Sequence, residues 1–583
     1  MTITLQQLNA SSDADFVHLL EGVYENSPWI AHRAATRRPF ASVTALKMAL
    51  QSVVLEASPA EQVGLLCAHP ELAGKAAQSG MLTKASTGEQ TQVGLLNCSA
   101  EMLDMIRQLN VSYREKFGFP FIIAVRGPDG NGMYRDSIIR AFQRRLKNQR
   151  DEELGECLYQ VSRIAELRLN NLFDISPDMG NAVLAHALAL AAWSDSPTGL
   201  TCAYLTEAHQ QTARQLAAWM GEAGMQVTID AVGNVVGRYL SDRPEAKTFI
   251  TGSHYDTVCN GGKYDGRVGI LLPIALVRYL NERQEKLPFH LEVIGFSEEE
   301  GVRFKSTFLG SSAVIGQFDS NLLDKTDADG ISLGTAIKQA GHDVDAIGAI
   351  ARDPDKIRGY LEVHIEQGPV LLKHNLPVGI VTSIAGSSRY IVELTGVASH
   401  AGTTPMTMRK DAAVAAAQIV LYVEQRCSQF PALVGTVGQL LVPDGSVNVI
   451  PDRCRFSLDI RAEQDAVRQK AVDDILEKIA EVCNRRSIEY TVTELMSTPA
   501  TDCAAELMAQ LIRSTERAGI TPFTLPSGAG HDAMVMARMT DVAMLFIRCG
   551  NGGISHNPLE TMTGDDAEVA AQIMLDFLRN LSP

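Results

Sequence analysis

The sequence predicts a multidomain protein: an N-terminal all-α bundle, then an α/β domain that is interrupted by a smaller α+β insert. Up to about residue 172, apolar residues recur almost purely at helical spacing. From residue 173, short runs rich in β-branched residues alternate with helical stretches, which is typical of α/β domains with a mainly parallel sheet. Between 386 and 496, clean alternation with separate helices indicates a sheet with one wet face. We therefore expect domains at 1–172, at 173–385 with 497–583, and at 386–496, which fits a length of 583 residues.

Three helices are the clearest elements of the first domain. One begins after Ser42, a suitable N-cap, and carries Leu46 and Leu50 on its apolar face. A second runs from Ser99 and ends at Gly118, a suitable C-cap. The apolar stripe of the third helix is Leu154, Leu158, Val161, Ala165 and Leu172.

The later domains show strand signals as well. In the α/β domain, strands are expected at 249–251 and 291–294, and a helix at 216–220. In the insert, strands are expected around Tyr390–Leu394 and Phe456–Ile460, with helices at 410–426 and 464–484.

Composition and charge exclude several classes of protein. Apolar residues make up 45% of the chain, enough for packed cores, so a disordered scaffold is excluded. A formal net charge of −16 disfavours binding to nucleic acid or to an anionic membrane, and the basic stretch 140–150 is interpreted as a solvated helix face. The N-terminus lacks a signal-peptide pattern, and the ten cysteines contain no CxxC pair, so we expect a soluble cytoplasmic protein with reduced thiols.

Candidate metal ligands follow the predicted strands of the α/β domain. His254 and Asp256 follow one strand, Asp265 precedes a glycine eleven residues after His254, and a run of three glutamates ends another strand. His364 and His556 come later in the chain. Ligands gather at the carboxyl ends of strands in α/β sheets, and imidazoles with carboxylates can hold two divalent ions if one carboxylate bridges them. Taken singly, each residue is more often a turn residue or part of a solvated run, but together they favour a metal site.

Eight motifs in order resemble the amidohydrolase branch of the M20 metallopeptidase family. They are GSHYDT, GGKYDG, FSEEEG, EVHIEQGP, ASHAGTTPM, SVNVIPDR, SGAGHDA and GISHNPLE, and the resemblance covers roughly residues 175–583. That branch includes allantoate amidohydrolases, N-carbamoyl-L-amino-acid hydrolases, β-ureidopropionases and ureidoglycolate amidohydrolases.

The resemblance implies a role for individual residues. His254, bridging Asp265 and His364 would hold one metal ion, and Asp265, Glu300 and His556 the other, as Zn²⁺ or Mn²⁺. Glu299 would be the general base, and Asp256 would orient His254. The insert would be a lid that also forms a homodimer. The substrate contacts would be Gln367, His400, Asn448 and Arg461.

Two residues of the helical domain are notable on physical grounds. His69 precedes Pro70, which should end its helix and leave the imidazole at the helix end, where a structural hydrogen bond is the common role. Arg168 falls inside an apolar stripe and should meet a carboxylate of the protein or of a ligand, because an unpaired buried charge is costly. Arg163 points roughly to the opposite side and is the weaker candidate.

This domain resembles the OHCU decarboxylase family (2-oxo-4-hydroxy-4-carboxy-5-ureidoimidazoline decarboxylase). The matching stretches are FVHLLEGVYENSPWIA, LLCAHPELAG, LTKASTGEQ, EKFGFPFIIAVRG and IAELRL. The resemblance implies His69 as general acid/base, Glu89 as its assistant and no metal. The implied pocket residues are Pro70, Ser86, Gln90, Phe121, Ile122, Ile123, Ala124, Val125 and Arg168.

Together the resemblances imply a bifunctional enzyme of purine breakdown that acts on OHCU and on allantoate. The alternatives are an N-carbamoyl-L-amino acid or ureidoglycolate as the second substrate, and a non-catalytic docking module as the helical domain. The presence of both halves in one chain favours allantoate.

Overall fold

The computed structural model describes residues 2–72, 89 and 100–582. Two compact units are present. Unit 1 comprises Met1–Ile380, Ala509–Phe523 and Leu545–Pro583, and unit 2 comprises Val381–Met508 and Thr524–Met544. The helical N-terminal part and the candidate metal ligands of the α/β part therefore belong to one compact unit, whereas the insert forms most of the other.

The N-terminal part is helical. Ser42 caps the helix Val43–Leu55 by accepting a hydrogen bond from the Ala45 amide at 3.0 Å, and Gly118 ends the helix Ala100–Phe117 with a positive φ of 83°. Apolar side chains from these helices and their neighbours form a single core. The α-helices among the described residues of this part are Leu5–Ala10, Asp13–Leu19, Pro28–Ala34, Val43–Leu55, Pro59–Ala68, Ala100–Phe117, Arg135–Arg145 and Arg150–Phe173.

The interpretation of residues 140–150 as a solvated face is wrong for Arg145. This side chain is 1% exposed, and its Nε donates to the buried Glu153 at 2.8 Å. Arg145 also donates to the Ile122 carbonyl at 2.7 Å. The helix Arg135–Arg145 packs its last turn inward, so one arginine of the basic stretch is enclosed with its carboxylate partner.

The sheet of unit 1 is mixed, which corrects the expectation of a mainly parallel one. Its strands, in spatial order, are Gln226–Ile229, Val235–Tyr239, His290–Phe296, Thr248–His254, Ile357–Ile365, Val542–Ile547 and Val378–Ile384. The strand Thr248–His254 is parallel to both its neighbours, whereas the first three strands pair antiparallel, as do the last two. The unit boundary falls inside the last two strands. The central strands are buried along their whole length, as expected for strands covered on both faces.

Helices surround this sheet. They are Asp178–Leu190, Glu207–Glu222, Val268–Glu282, Leu309–Val314, Leu333–Gln339, Val370–His374 and Gly564–Asn580, and Ala505–Arg517 crosses the unit boundary. None of the described helices is long and apolar enough to cross a membrane.

Unit 2 has its own antiparallel sheet and core. The long strands Gly386–Thr395 and Arg453–Ala462 pair along their full length, and the second alternates buried and less buried residues. The helices Ala412–Cys427 and Asp465–Arg486 contribute the other side of the core. The remaining elements are the strands Ser399–His400, Leu433–Thr436, Leu440–Leu441, Val449–Ile450, Glu489–Thr498, Thr501–Asp502 and Thr524–Ser527 and the helix Asp532–Met536.

Candidate functional site

The carboxyl ends of adjacent strands gather the candidate ligands. His254 ends the strand Thr248–His254, whose two neighbours in the sheet both run parallel to it. Glu299 and Glu300 follow one neighbour, and His364 is the second-last residue of the other. Parallel strands end at the same edge of a sheet, so residues far apart in sequence meet there.

Asp265 lies at the centre of three imidazoles. Its Oδ1 is 3.3 Å from Nε2 of His364 and 3.9 Å from Nε2 of His254, and its Oδ2 is 3.0 Å from Nε2 of His556. The Nε2 atom of His556 is also 3.6 Å from Oε1 of Glu300. One carboxylate thus faces two sets of possible ligands, one on each oxygen.

Burial and mutual contact shift the pKa values of this cluster. Burial would raise the pKa of Asp265, but the surrounding imidazoles hold it well below its usual value. Burial and the Asp265 charge raise the pKa of Glu300 to about 7. Contact with Asp265 raises the pKa of His556 to about 9, whereas burial lowers that of His364 to about 4. Several ionisable groups therefore share a small, largely enclosed volume.

The donor set fits divalent cations. Among the described residues of unit 1, three groups have ligand atoms within 4.8 Å of one another, namely His254 with Asp265 and His364, Asp265 with Glu300 and His556, and His254 with Glu299 and Glu300. Imidazole nitrogens and carboxylate oxygens suit both Zn²⁺ and Mn²⁺. Asp265 belongs to two of the groups, as a bridging carboxylate must.

Asp256 and Gln367 contact the candidate metal ligands. Both Asp256 oxygens accept backbone hydrogen bonds at 3.1 Å, from Glu299 and from Glu300, and Oδ1 lies 3.4 Å from Nδ1 of His254. Gln367 donates its side-chain amide to Oδ1 of Asp265 at 2.9 Å. Asp256 therefore fixes both the imidazole and the glutamate run.

Glu560 is a site residue to which the sequence assigned no role. Its Oε1 accepts the backbone amides of Tyr264 at 2.8 Å and Asp265 at 3.1 Å, and burial raises its pKa to about 7. Its position four residues after His556 was the available signal, but spacing alone does not show that a carboxylate folds back onto a distant turn.

The remaining candidate contacts of the hydrolase lie in unit 2. His400 and Asn448 are exposed and adjacent, because the strands Ser399–His400 and Val449–Ile450 pair. Arg461 is half-buried and donates to both oxygens of Asp459, at 3.0 and 2.9 Å.

In the helical part, His69 ends the helix Pro59–Ala68 and is buried. Its Nδ1 lies 3.0 Å from the Leu65 carbonyl, so that nitrogen carries the proton and donates it. Burial lowers the pKa of His69, although the charges of Glu25 and Glu89 oppose this. The imidazole is therefore neutral near pH 7.

Arg168 joins two carboxylates beside this histidine. It donates to both oxygens of Glu89, at 2.9 and 3.0 Å, and to Glu25 at 3.0 Å. The side chain is 7% exposed. Arg168, a charged residue within an apolar stripe, therefore pairs with carboxylates of the protein.

The structure describes some of the other implied pocket residues of the helical domain and not others. Pro70 is half-buried, whereas Ser86 and Gln90 lie outside the described residues. The segment Phe121–Val125 is buried throughout, and its Ala124 amide donates to the Gln160 side chain at 2.9 Å.

Comparison with known families accounts for both parts of the chain. Residues 9–170 match OHCU decarboxylase, and residues 250–580, more than half of the chain, match peptidase family M20/M25/M40. The chain belongs to the M20/M25/M40 peptidase family. It joins an OHCU decarboxylase domain to an M20-type amidohydrolase and is an enzyme.

Three similar proteins illustrate this M20 membership. An N-carbamoyl-L-amino acid amidohydrolase of Geobacillus stearothermophilus is 38% identical over 68% of this chain and 97% of its own length. A probable allantoate deiminase of Oryza sativa subsp. japonica is 38% identical over 66% of this chain and 85% of its own. The structure of a hydantoinase/carbamoylase family amidase from Burkholderia multivorans is 30% identical, with a TM-score of 0.65 over 69% of this chain and 98% of that one.

Proposed function

We propose that this chain catalyses two steps of purine breakdown at two separate sites. The helical domain would decarboxylate OHCU to S-allantoin, and the M20 part would hydrolyse allantoate to ureidoglycine, CO₂ and ammonia. The observation that carries the hydrolase proposal is Asp265 shared between two ligand groups. The decarboxylase proposal is supported by the buried His69 and Arg168, with Glu89 hydrogen-bonded to Arg168, within the matched residues.

For hydrolysis, the proposed ligands are His254, Asp265 and His364 for one divalent ion and Asp265, Glu300 and His556 for the other. Bound there, such ions supply Lewis acidity toward a ureido carbonyl and toward water. Gln367 restrains Asp265 through its amide hydrogen bond, and Asp256 holds His254 in place.

Glu299 is the proposed general base. Its backbone is fixed by Asp256, and its carboxylate belongs to a ligand group with His254 and Glu300. It would accept a proton from the attacking water and pass it to the departing nitrogen, which leaves as ammonia with CO₂. Gln367, His400, Asn448 and Arg461 stay proposed substrate contacts through the family resemblance.

For decarboxylation, His69 is the proposed acid/base. Because Nδ1 donates to the Leu65 carbonyl, Nε2 is the basic nitrogen of the neutral ring. It would take a proton from the substrate hydroxyl and, after CO₂ leaves, return a proton to the enolate-like carbon on one face. One-sided protonation would make the product chiral.

The second candidate substrate is an N-carbamoyl-L-amino acid, favoured by the 38% identity to the Geobacillus stearothermophilus enzyme. The metal-free full chain should be reloaded with Zn²⁺ or Mn²⁺ and given allantoate, ureidoglycolate or N-carbamoyl amino acids in parallel. The proposal expects the highest kcat/KM for allantoate and two ions bound per chain. A preference for an N-carbamoyl amino acid would favour the second candidate.

The decarboxylase proposal is tested with freshly generated OHCU followed by circular dichroism. The full chain should form optically active allantoin faster than spontaneous decay does, and a racemic product would indicate a non-catalytic docking module instead.

A further inference from the structure

One candidate ligand lies on a loop rather than on a strand. Residues 548–563, here called the His556 loop, connect the strand Val542–Ile547 to the helix Gly564–Asn580. His556 itself has a positive φ of 53° and a side chain that is 50% exposed. By contrast, the His254 and His364 side chains are 4% and 1% exposed. The position of His556 therefore depends on what holds its loop.

The two ends of the His556 loop are tied together. Arg548, at the start, donates to both oxygens of Asp566, at 3.0 and 2.7 Å, just after the loop ends. Next to it, the Gly550 amide donates to the Thr561 carbonyl at 2.8 Å. These contacts make the base of the loop one compact structure with the first turn of the following helix.

Residues of the helical domain bind the segment at the base of the His556 loop. Asp565 accepts hydrogen bonds from Lys47 at 2.9 Å and from Asn170 at 2.7 Å, and it pairs with Arg163. Asp565 and Arg163 are 6% and 4% exposed, so this is a buried ionic contact rather than a surface one.

The Pro128 carbonyl joins the same two segments. It accepts the backbone amide of Gly564, the first residue after the His556 loop, at 3.0 Å. It also accepts a hydrogen bond from the Arg163 guanidinium at 2.7 Å. The pair of Asp565 and Arg163 is therefore part of a wider polar contact between the helical domain and the base of the loop.

One helix of the helical domain contacts both the base of the His556 loop and the carboxylates beside His69. Arg163 and Arg168 lie on the helix Arg150–Phe173, five residues apart and therefore on different faces. Arg168 faces Glu25 and Glu89, whereas Arg163 faces Asp565.

We propose that Asp565 and Arg163 are positioning residues of the hydrolase, through which the helical domain sets the place of His556 at Asp265. This inference rests on the proposed metal-dependent hydrolysis. Asp565 and Arg163 do not themselves belong to the ligand groups. They fix the base of the His556 loop. The loop in turn places Nε2 of His556 3.0 Å from Oδ2 of Asp265.

The test measures metal affinity and activity together in the full chain. Metal-free Asp565→Asn and Arg163→Met proteins are titrated with Zn²⁺ or Mn²⁺ alone, by calorimetry. We expect one of two binding steps to weaken by about 10–100-fold, as when an outer partner of a metal ligand is removed, and the other step to keep its affinity. Hydrolysis should fall at limiting metal and recover at excess metal, while OHCU decarboxylation stays unchanged.

Three further variants serve as controls. Arg352→Met breaks an ion pair with the buried Glu292 elsewhere in unit 1, at 2.8 Å, and should leave both binding steps unchanged. Arg163→Lys keeps the charge and should restore part of the affinity. If either main variant does not fold, Lys47→Met removes one partner of Asp565 while Arg163 and Asn170 stay, and it should weaken the same step by a smaller factor.

Unchanged affinity in the folded variants would overturn the inference, and so would equal weakening of both steps. A wild-type chain that binds no divalent ion would overturn the proposed function and the inference together. Two wild-type binding steps with no effect of the variants would overturn the inference alone.

Discussion

The Oδ2 atom of Asp265 lies 3.0 Å from Nε2 of His556, while the Oδ1 atom of the same carboxylate faces His364 and His254. This arrangement divides the ligands into two groups that share one residue. Substitutions of Glu299 and of Glu300 should then have different effects, although the two residues are adjacent in sequence.

Glu299→Gln should keep both metal ions but lower kcat for hydrolysis by at least about 10²–10⁴-fold, because an amide cannot accept the proton of water. Glu300→Gln should instead lower metal occupancy, since Glu300 shares a group with Asp265 and His556. Metal analysis beside steady-state kinetics checks both variants. Reversed effects would show that the roles of the two glutamates are exchanged.

A chelator should abolish hydrolysis of allantoate and leave OHCU decarboxylation intact. The candidate metal ligands all come from the M20 part, whereas His69, Glu89 and Arg168 form the proposed decarboxylase site. Both activities are measured on one chelated sample, and added Zn²⁺ or Mn²⁺ should restore hydrolysis alone. Equal loss of both activities would contradict two independent sites.

His69→Asn should abolish decarboxylation with little change in thermal stability. Asparagine can still donate a hydrogen bond toward the Leu65 carbonyl, but it has no basic nitrogen to exchange a proton. Circular dichroism of the product and a thermal melt check the two parts. Retained stereospecific activity would exclude His69 as the acid/base.

Arg168→Met should weaken decarboxylation and also destabilise the protein, by about 3–5 kcal/mol. The sequence left a carboxylate of the protein or of a ligand as the partner of Arg168, and the structure shows that Glu25 and Glu89 would lose this buried partner. Denaturant unfolding measures the loss. Arg114→Met, which removes an arginine that is 52% exposed and pairs with Glu71, is the matched control and should change stability by less than about 1 kcal/mol.

His209 should make folding sensitive to acid. It is buried, its Nε2 lies 2.7 Å from the Ser297 carbonyl, and burial lowers its pKa to about 4. The unfolded ring titrates near pH 6.5, so its contribution to stability is complete above that pH and is lost as pH falls toward 4. The full change is roughly 3 kcal/mol. Unfolding free energies of wild type and His209→Gln between pH 7 and 4 should differ in slope, and parallel curves would contradict this.

Much of the candidate site could be predicted from the sequence because its residues lie at strand ends and turns. His254 and Glu300 follow predicted strands, Asp265 lies in a predicted turn, and strand order in an α/β sheet brings strand ends to one edge. Helix limits such as Ser42 and Gly118 also follow from local chemistry, since capping involves only neighbouring residues.

Other features depended on contacts between distant segments. The sequence placed Arg163 away from the apolar stripe, which suggested a lesser role, but Asp565, 402 residues later, covers that face. Arg145 is likewise enclosed by Glu153, and Glu560 folds back onto the turn at Asp265. Periodicity assigns a residue to a face of its own helix but does not tell which remote segment will pack there.

The sequence by itself thus predicted the helical and α/β parts, helix limits such as Ser42 and Gly118 and, through the family resemblance, the candidate ligands. Only the tertiary structure decided the mixed strand directions, the carboxylates that meet Arg168, and the contact of Asp565 with the helical domain. The physical reason is that caps and periodicity act over a few residues, whereas a buried charge is stabilised by whichever partner the whole fold brings within hydrogen-bonding distance.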